Sequence, residues 1–460
     1  MDRPTVVIAG ATGFLGRWFI ERYHRQYRII ALSRSAMQPE PGYELAEWRQ
    51  VELYSITSTE EGIRGADYAL YLVHSMSPST RLTQGSFEDT DLLLADNFAR
   101  AAANQGVKQI LFVGGILPDD EPTEALSRHL RSRHEVELTL ASTGVPVTTL
   151  RAGIIVGADG SSFQMIERLV RRLPVLICPA WCQTTTHPIS LDDTLRILAY
   201  CLGREEVYGQ TIDIGGSETT TYMKMLRSVA NLLGKRRIIR PVRIFSPGLS
   251  TFWVSKFTQT SGDLVRPLVQ SLRHRMIAAD SAVLRAFPDR DNFEAAAQRA
   301  LTSTERLTPL PRRVPTGDHE RNTVRSVQRL PNPRHHTATY VARLYQRWLP
   351  IFFRALIGVK SQGDNSTFRF VGVPLLRLMF IPSRSDDHRQ LFYIVGGLLA
   401  KRKNKGWLEF RNVLGDDFTI SAIHEFVPSL PWYIYVVTQA QAHTWVMKRF
   451  GKYLSDQDAY

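Results

Sequence analysis

Val6-Val7-Ile8-Ala9-Gly10-Ala11-Thr12-Gly13-Phe14-Leu15-Gly16 runs an apolar stretch directly into three glycines spaced three apart. The stretch reads as a strand that turns tightly into a helix. Gly10 would permit the turn, Gly13 would let backbone approach a pyrophosphate, and Gly16 would let the helix pack closely on its strand, so that amide N–H groups face anionic oxygen. An ordinary glycine-rich turn would share the triplet. Its place after an apolar strand and before Trp18, Phe19 and Tyr23 favours a dinucleotide site formed by Gly10, Ala11, Thr12, Gly13, Phe14, Leu15 and Gly16.

Outward from this point the sequence alternates. Apolar runs at Val6–Ala9, Ile29–Ser33, Ala69–His74, Ile110–Gly114 and Val147–Leu150 are separated by amphipathic segments such as Asp89–Gln105, where Leu92, Leu93, Phe98 and Ala101 recur near the helical period. Strands alternating with helices at this interval predict an α/β fold with a doubly wound parallel sheet. We place this dinucleotide-binding domain at residues 1–156. Residues 157–300, with helices expected at Phe163–Arg172, Asp192–Leu202 and Tyr222–Leu233, read as an appended substrate lobe. The Pro- and Arg-rich stretch containing Leu310-Pro311-Arg312-Arg313-Val314-Pro315 reads as a linker, residues 301–325.

Residues 326–460 follow a different pattern. A helix at Thr339–Ile357, strands at Thr367–Ile381, Gln390–Lys401, Gly406–Leu414 and Phe418–Phe426, and a long helix at Pro431–Leu454 predict a C-terminal α+β domain. A curved antiparallel sheet gripping one long helix would enclose a pocket for an apolar ligand; a solid core is the other reading. Val427–Met447 is nearly uncharged, but Gln439, Gln441 and His443 interrupt it, so it is expected to pack on the sheet and to allow peripheral membrane contact, not to span a bilayer.

Composition narrows the classes. At 460 residues the chain should hold two or three domains, and 43% hydrophobic residues supports globular packing. Three cysteines, Cys178, Cys182 and Cys201, exclude a disulfide framework, and the Cys-x3-Cys spacing has no downstream pair for a metal. With no apolar leader ahead of the first strand, a cytoplasmic location is expected. The net charge of +13 is dispersed among apolar residues, and with no DNA- or RNA-binding motif the expectation is no nucleic-acid partner.

Cofactor choice turns on the end of the second strand. An acidic residue there would hold a ribose 2′-hydroxyl, whereas this chain offers Ser33-Arg34-Ser35 and no carboxylate before Glu40, which favours NADP(H) over NAD(H). His74 and Ser75 close the strand Ala69–His74, where ligands collect in such sheets.

The glycine pattern, Tyr71-Leu72-Val73-His74-Ser75-Met76, Ile110-Leu111-Phe112-Val113-Gly114-Gly115 and Leu150-Arg151-Ala152-Gly153-Ile154-Ile155-Val156-Gly157 together resemble the atypical short-chain dehydrogenase/reductases, NAD(P)-binding Rossmann proteins of the NmrA/epimerase-like kind. Ser326-Val327-Gln328-Arg329-Leu330-Pro331 and Gly406-Trp407-Leu408-Glu409-Phe410-Arg411 resemble the domain of unknown function fused to bacterial members, for which we expect a helix-grip-like fold. The resemblance implies proton delivery by a Tyr-x-x-x-Lys pair. Here the matching positions are His129 and Arg133, one helical turn apart, with Gly114-Gly115 where a serine would orient substrate. His129 could act as an acid near neutral pH and Arg133 could hold ribose hydroxyls; a surface histidine beside arginines is the other reading. Trp181 and His187 fall where such relatives shape the substrate pocket, and ordinary loop packing is the other reading. The expected function is an NADPH-dependent oxidoreductase on an apolar carbonyl or enone-like small molecule, with a non-catalytic NADP(H)-binding sensor or scaffold as the alternative.

Overall fold

Val6, Val7, Ile8 and Ala9 have no exposed surface, because β1 (Thr5–Ala9) lies inside a parallel sheet covered on both faces. In the computed structural model, which describes residues 3–42, 44–74, 83–119, 121–242, 269–314, 323–354, 356–401, 406–431, 435 and 438–456, this sheet has seven strands. They are β1, β2 (Arg28–Ser33), β3 (Glu47–Gln50), β4 (Tyr68–Tyr71), β5 (Gln109–Gly115), β6 (Val147–Ala152) and β7 (Thr211–Ile214), in the order β7-β6-β5-β4-β1-β2-β3. The order reverses between β1 and β4. Ligands of such sheets bind in the crevice outside the strand ends at that reversal.

Helices α1 (Phe14–Tyr23), α2 (Ile56–Ile63), α3 (Phe87–Asn104) and α4 (Arg128–Ala141) connect these strands. On one face Trp18 and Phe19 of α1 pack with Leu195 and Leu198 of α6 (Leu191–Cys201) over Val6 and Ile8. A second core joins α5 (Ser161–Arg172), α7 (Tyr222–Leu232) and α8 (Phe293–Thr302) through Phe163, Val170, Met225 and Phe293. These helices fall within residues 157–300, the stretch expected to form an appended lobe.

Two compact units divide the chain: residues 1–77 with 97–314, and residues 78–96 with 315–460. The sequence placed 78–96 in the first domain because its neighbours along the chain are there. Tertiary pairing places it in the second. Thr83–Gln84 runs parallel to β8 (Val324–Pro331), with Arg325 opposite Thr83, and Arg329 Nε donates to Asp89 Oδ1 at 2.7 Å. Part of the expected linker is therefore strand, since β8 begins at Val324.

The second unit is an antiparallel meander of β9 (Ile357–Gln362), β10 (Asn365–Phe370), β11 (Val373–Phe380), β12 (Arg389–Gly396), β13 (Trp407–Val413) and β14 (Phe418–Phe426), with β8 beside β14. The expected strand Thr367–Ile381 is two, broken at Val371-Gly372, where both residues have positive φ. Two helices, α9 (Ala338–Phe352) and α10 (Gln439–Ser455), complete an aromatic core with the sheet. Tyr345 sits 5.5 Å from the Phe410 ring and 5.0 Å from Phe450.

Strand alternation puts Leu408 and Phe410 into that core and turns Glu409 and Arg411 to the other face. There Arg411 donates to Asp96 Oδ2 (2.5 Å) and to Glu409 Oε2 (3.0 Å), while Arg389 Nε donates to the same Oε2 (2.8 Å) and His424 Nε2 meets Glu409 Oε1 (3.0 Å). Burial opposes the charge on Glu409, yet Arg411, Arg389 and His424 hold its carboxyl well below the usual range. Burial keeps His424 below the ordinary imidazole value despite Glu409.

Candidate functional site

The glycine loop has the geometry its spacing predicts. Gly10 has φ of 90°, and a Cβ on it would stand 2.7 Å from the Leu72 carbonyl oxygen. A Cβ on Gly16 would lie 2.5 Å from the Gly10 oxygen. Both positions require glycine, one for backbone conformation and one for close approach of α1 to β1. Gly13 caps α1 with no side-chain hydrogen bond, which keeps the first-turn amides for an anion. Ala11 is buried beneath the loop, Thr12 and Gly13 are exposed, and Phe14 and Leu15 are half-buried. A further pair escaped the sequence reading: Cβ atoms on Gly157 and Gly160 would press on the Phe14 ring at 2.8 and 3.2 Å. Their signal was a second glycine pair following β6.

At the end of β2, Ser33 Oγ accepts from the Ser35 amide at 3.2 Å and Arg34 is exposed. Glu40, the first carboxylate downstream, already faces Arg312 at 3.3 Å. No ion pair engages the Arg34 guanidinium among the described residues. The loop at the end of β2 therefore carries a cation and no acid, chemistry that would fit a 2′-phosphate.

The strand expected through His74 ends at Tyr71, so His74 stands on an exposed loop that runs past the glycines. His74 Nε2 lies 3.2 Å from His129 Nδ1, and the rings stack at 5.1 Å. His129 lies in the first turn of α4, whose cap Ser127 accepts from the Leu130 amide at 3.2 Å. Burial, then the neighbouring His74 and Arg133, hold the His129 imidazole well below its ordinary value. The same causes favour its neutral form. Its Nε2 meets no hydrogen-bond partner among the described residues, leaving a polar nitrogen for a ligand. Ser75 lies outside the described residues.

Arg133 has a different surrounding from the one a ribose would need. Nη1 donates to the Val73 carbonyl (3.0 Å), Nη2 to the Val113 carbonyl (2.8 Å), and the guanidinium lies over Phe112 at 4.5 Å. It ties the ends of two neighbouring sheet segments together. A Cβ on Gly115 would come 2.8 Å from Leu130, so glycine at this position lets α4 close on β5, and Gly114 beside it is half-exposed. One turn further along α4, Glu137 accepts from Arg151 at 3.0 and 3.1 Å and from Thr211 at 2.8 Å.

Trp181 and His187 lie in the lobe. His187 Nε2 sits 2.9 Å from the Gly216 carbonyl, and its Nδ1 accepts from the Ala278 amide at 3.3 Å. Both nitrogens are engaged, and burial with Arg290 lowers its pKa. Its ring lies where a Cβ on Gly215 would be, 2.5 Å away. Trp181 packs edge-on to Tyr222 at 6.1 Å in the lobe core. The structure thus brings together the glycine loop, His74, His129, Arg133 and Gly114, while His187 bridges lobe backbone. Among the described residues no cluster of three or more His, Cys, Asp or Glu could hold a metal ion.

The family model described as NAD(P)H-binding matches residues 10–170. The auxiliary protein GraX of Staphylococcus aureus is 28% identical over 127 residues, 28% of this chain and 41% of its own length. The mitochondrial NADH-ubiquinone oxidoreductase 40 kDa subunit of Neurospora crassa is 22% identical over 53% of this chain and 64% of its own. The chain therefore spans less than two thirds of either relative.

Among solved structures, an NADPH-dependent quinone oxidoreductase of Escherichia coli complexed with NADPH shares the fold at TM-score 0.50, 18% identity, 65% of this chain and all of that one. A nucleoside-diphosphate-sugar epimerase of S. aureus does so at 0.50 and 16%, over 64% and 99%. Triphenylmethane reductase of Citrobacter sp. does so at 0.50 and 15%, over 65% and 100%. Residues 10–170 are thus an NAD(P)H-binding domain, built on the Rossmann-like fold that epimerases and reductases share.

Proposed function

We propose that the protein is an NADPH-dependent oxidoreductase that reduces an apolar carbonyl or enone-like substrate. The observation that carries the reading is the hydrogen-bonded His74–His129 pair beside the glycine loop. Gly10 to Gly16 would hold the pyrophosphate and Arg34 the 2′-phosphate. When bound, the reduced nicotinamide supplies a hydride. With His74 donating to His129 Nδ1, His129 carries its proton on Nε2 and donates it toward the substrate oxygen as a neutral imidazole. As that proton leaves, His74 would pass its own Nε2 proton to His129 Nδ1 and take one from solvent, so that the pair stays neutral. Arg133 positions both by fixing the Val73 and Val113 carbonyls.

The test is NADPH oxidation followed by nicotinamide absorbance against a panel of quinones, enones and aldehydes. His129→Phe should lower kcat with NADPH affinity kept, and a rate unchanged by that substitution removes His129 from the reaction. A second reading, a non-catalytic NADP(H) sensor, is favoured by the carbonyl-bound Arg133 and the doubly engaged His187. Tight NADPH binding with no oxidation by any panel member would select it. The helix-grip-like reading of the second unit as an apolar-ligand carrier is tested by mass spectrometry of molecules that purify with the whole chain.

A further inference from the structure

The second unit exposes apolar side chains that its own core does not need. Val371 is 69% exposed, Leu398 63% and Trp445 46%, with Ile351, Leu356 and Val373 exposed beside them. They are contiguous. Trp445 of α10 meets Phe352 at 5.1 Å and Phe353 at 6.3 Å at the end of α9. The Leu356 amide donates to the Phe353 carbonyl, the Val371 amide to the Leu356 carbonyl, and the Leu398 amide to the carbonyl of Pro374, next to Val373. Helix ends, a hairpin turn and a loop thus converge at one end of the sheet.

The turn itself is costly. Val371 has φ of 45°, a conformation that β-branched residues avoid and that Asn or Gly adopts freely. A turn needing only solubility would carry a polar residue there; this one holds a valine in solvent. An exposed apolar patch of this kind marks a docking surface.

Charge identifies the partner. Across residues 338–380 the basic side chains are Arg343, Arg347, Arg354, Lys360, Arg369 and Arg377, against the single acid Asp364. Asp364 is in the turn at the opposite end of the β9–β10 hairpin from Phe370. α10 carries Lys448, Arg449 and Lys452 and no acid, and the Arg449 guanidinium lies 6.0 Å from the Trp445 ring. Aliphatic tips and an interfacial tryptophan within a basic rim complement an anionic bilayer: apolar groups enter the headgroup boundary while cations meet phosphate. No described helix is long and apolar enough to cross a membrane, so the contact is peripheral.

We propose that this end of the second unit docks on anionic phospholipid bilayers, with Leu356, Val371, Val373, Leu398 and Trp445 entering the interface and Arg354, Arg369 and Arg449 facing lipid phosphates. The proposal is independent of the reductase reading. The whole chain is sedimented with phosphatidylcholine vesicles, with and without phosphatidylglycerol. Binding is expected to be about tenfold stronger with the anionic lipid and to weaken with salt. The double substitution Val371→Asp with Leu398→Asp, at exposed positions, should reduce it about tenfold further with circular dichroism unchanged. Brominated lipid should quench tryptophan fluorescence in the parent protein and less in Trp445→Phe. Failure to sediment at low salt overturns the proposal, as does binding that survives the double substitution. So does patch-dependent self-association or duplex DNA binding in the absence of vesicle binding.

Discussion

Each unit buries an arginine, and the two are accommodated in opposite ways. Arg133 is 6% exposed and donates to two backbone carbonyls and lies on a phenylalanine ring; Arg411 has no exposed surface and is held by the carboxylates of Asp96 and Glu409. Sheet type explains the contrast. Parallel strands end together, so their carbonyls and the following helix amides form a polar rim where a cation or a nucleotide can be bound by main chain alone. An antiparallel meander has no such common end. Its second face here is closed by charged side chains meeting across strand and helix. The first arrangement leaves surface for a ligand, and the second consumes its charges in cohesion.

The contrast breaks most visibly at Arg411. Arg411→Met removes the buried guanidinium shared by the Asp96 and Glu409 carboxylates and should cost about 3–5 kcal/mol in denaturant unfolding; a loss under about 1 kcal/mol would mean the ion pairs do not hold residues 83–96 on the sheet. Arg133→Met removes two charged donors from backbone oxygens, for about 2–3 kcal/mol, and Arg133→Lys should recover little because an ammonium does not span both carbonyls. Unchanged stability with lost NADPH turnover would instead assign Arg133 to catalysis.

Gly10→Ala should cost about 1–2 kcal/mol for its left-handed backbone and abolish NADPH binding by calorimetry, since the new methyl presses on Leu72. Arg34→Ala should shift preference from NADPH toward NADH by about tenfold, near 1.4 kcal/mol, read from the two Kd values. The smallest effect is in pH. His129, and His443 at about 4, sit below the ordinary imidazole value because of burial. As pH falls the unfolded chain takes up these protons first, so stability is whole above about pH 6.5 and drains below it. His129→Phe and His443→Phe should each flatten that acid limb in unfolding midpoints measured from neutral pH downward.

Local signals made the first unit readable. Glycine spacing and apolar runs located β1, β2, β4, β5 and β6, whereas the edge strands Glu47–Gln50 and Thr211–Ile214 are short and carry polar residues, so they showed no run. Val371-Gly372-Val373 hid a hairpin because its turn is apolar. His129 and Arg133 were found through the i, i+4 spacing, but where Arg133 points depends on carbonyls 20 and 60 residues away. The Arg411–Asp96 pair spans 315 residues, and no local pattern announces a partner at that distance.

That span governs how the protein can be dissected. A fragment begun at the apparent linker would carry residues 315–460 without Thr83–Gln84 and Asp96. It would expose the outer edge of β8 to aggregation and leave Arg411 facing an unfilled position. Expression of residues 315–460 alone should give inclusion bodies, and a usable truncation must splice residues 78–96 back in or retain the entire polypeptide.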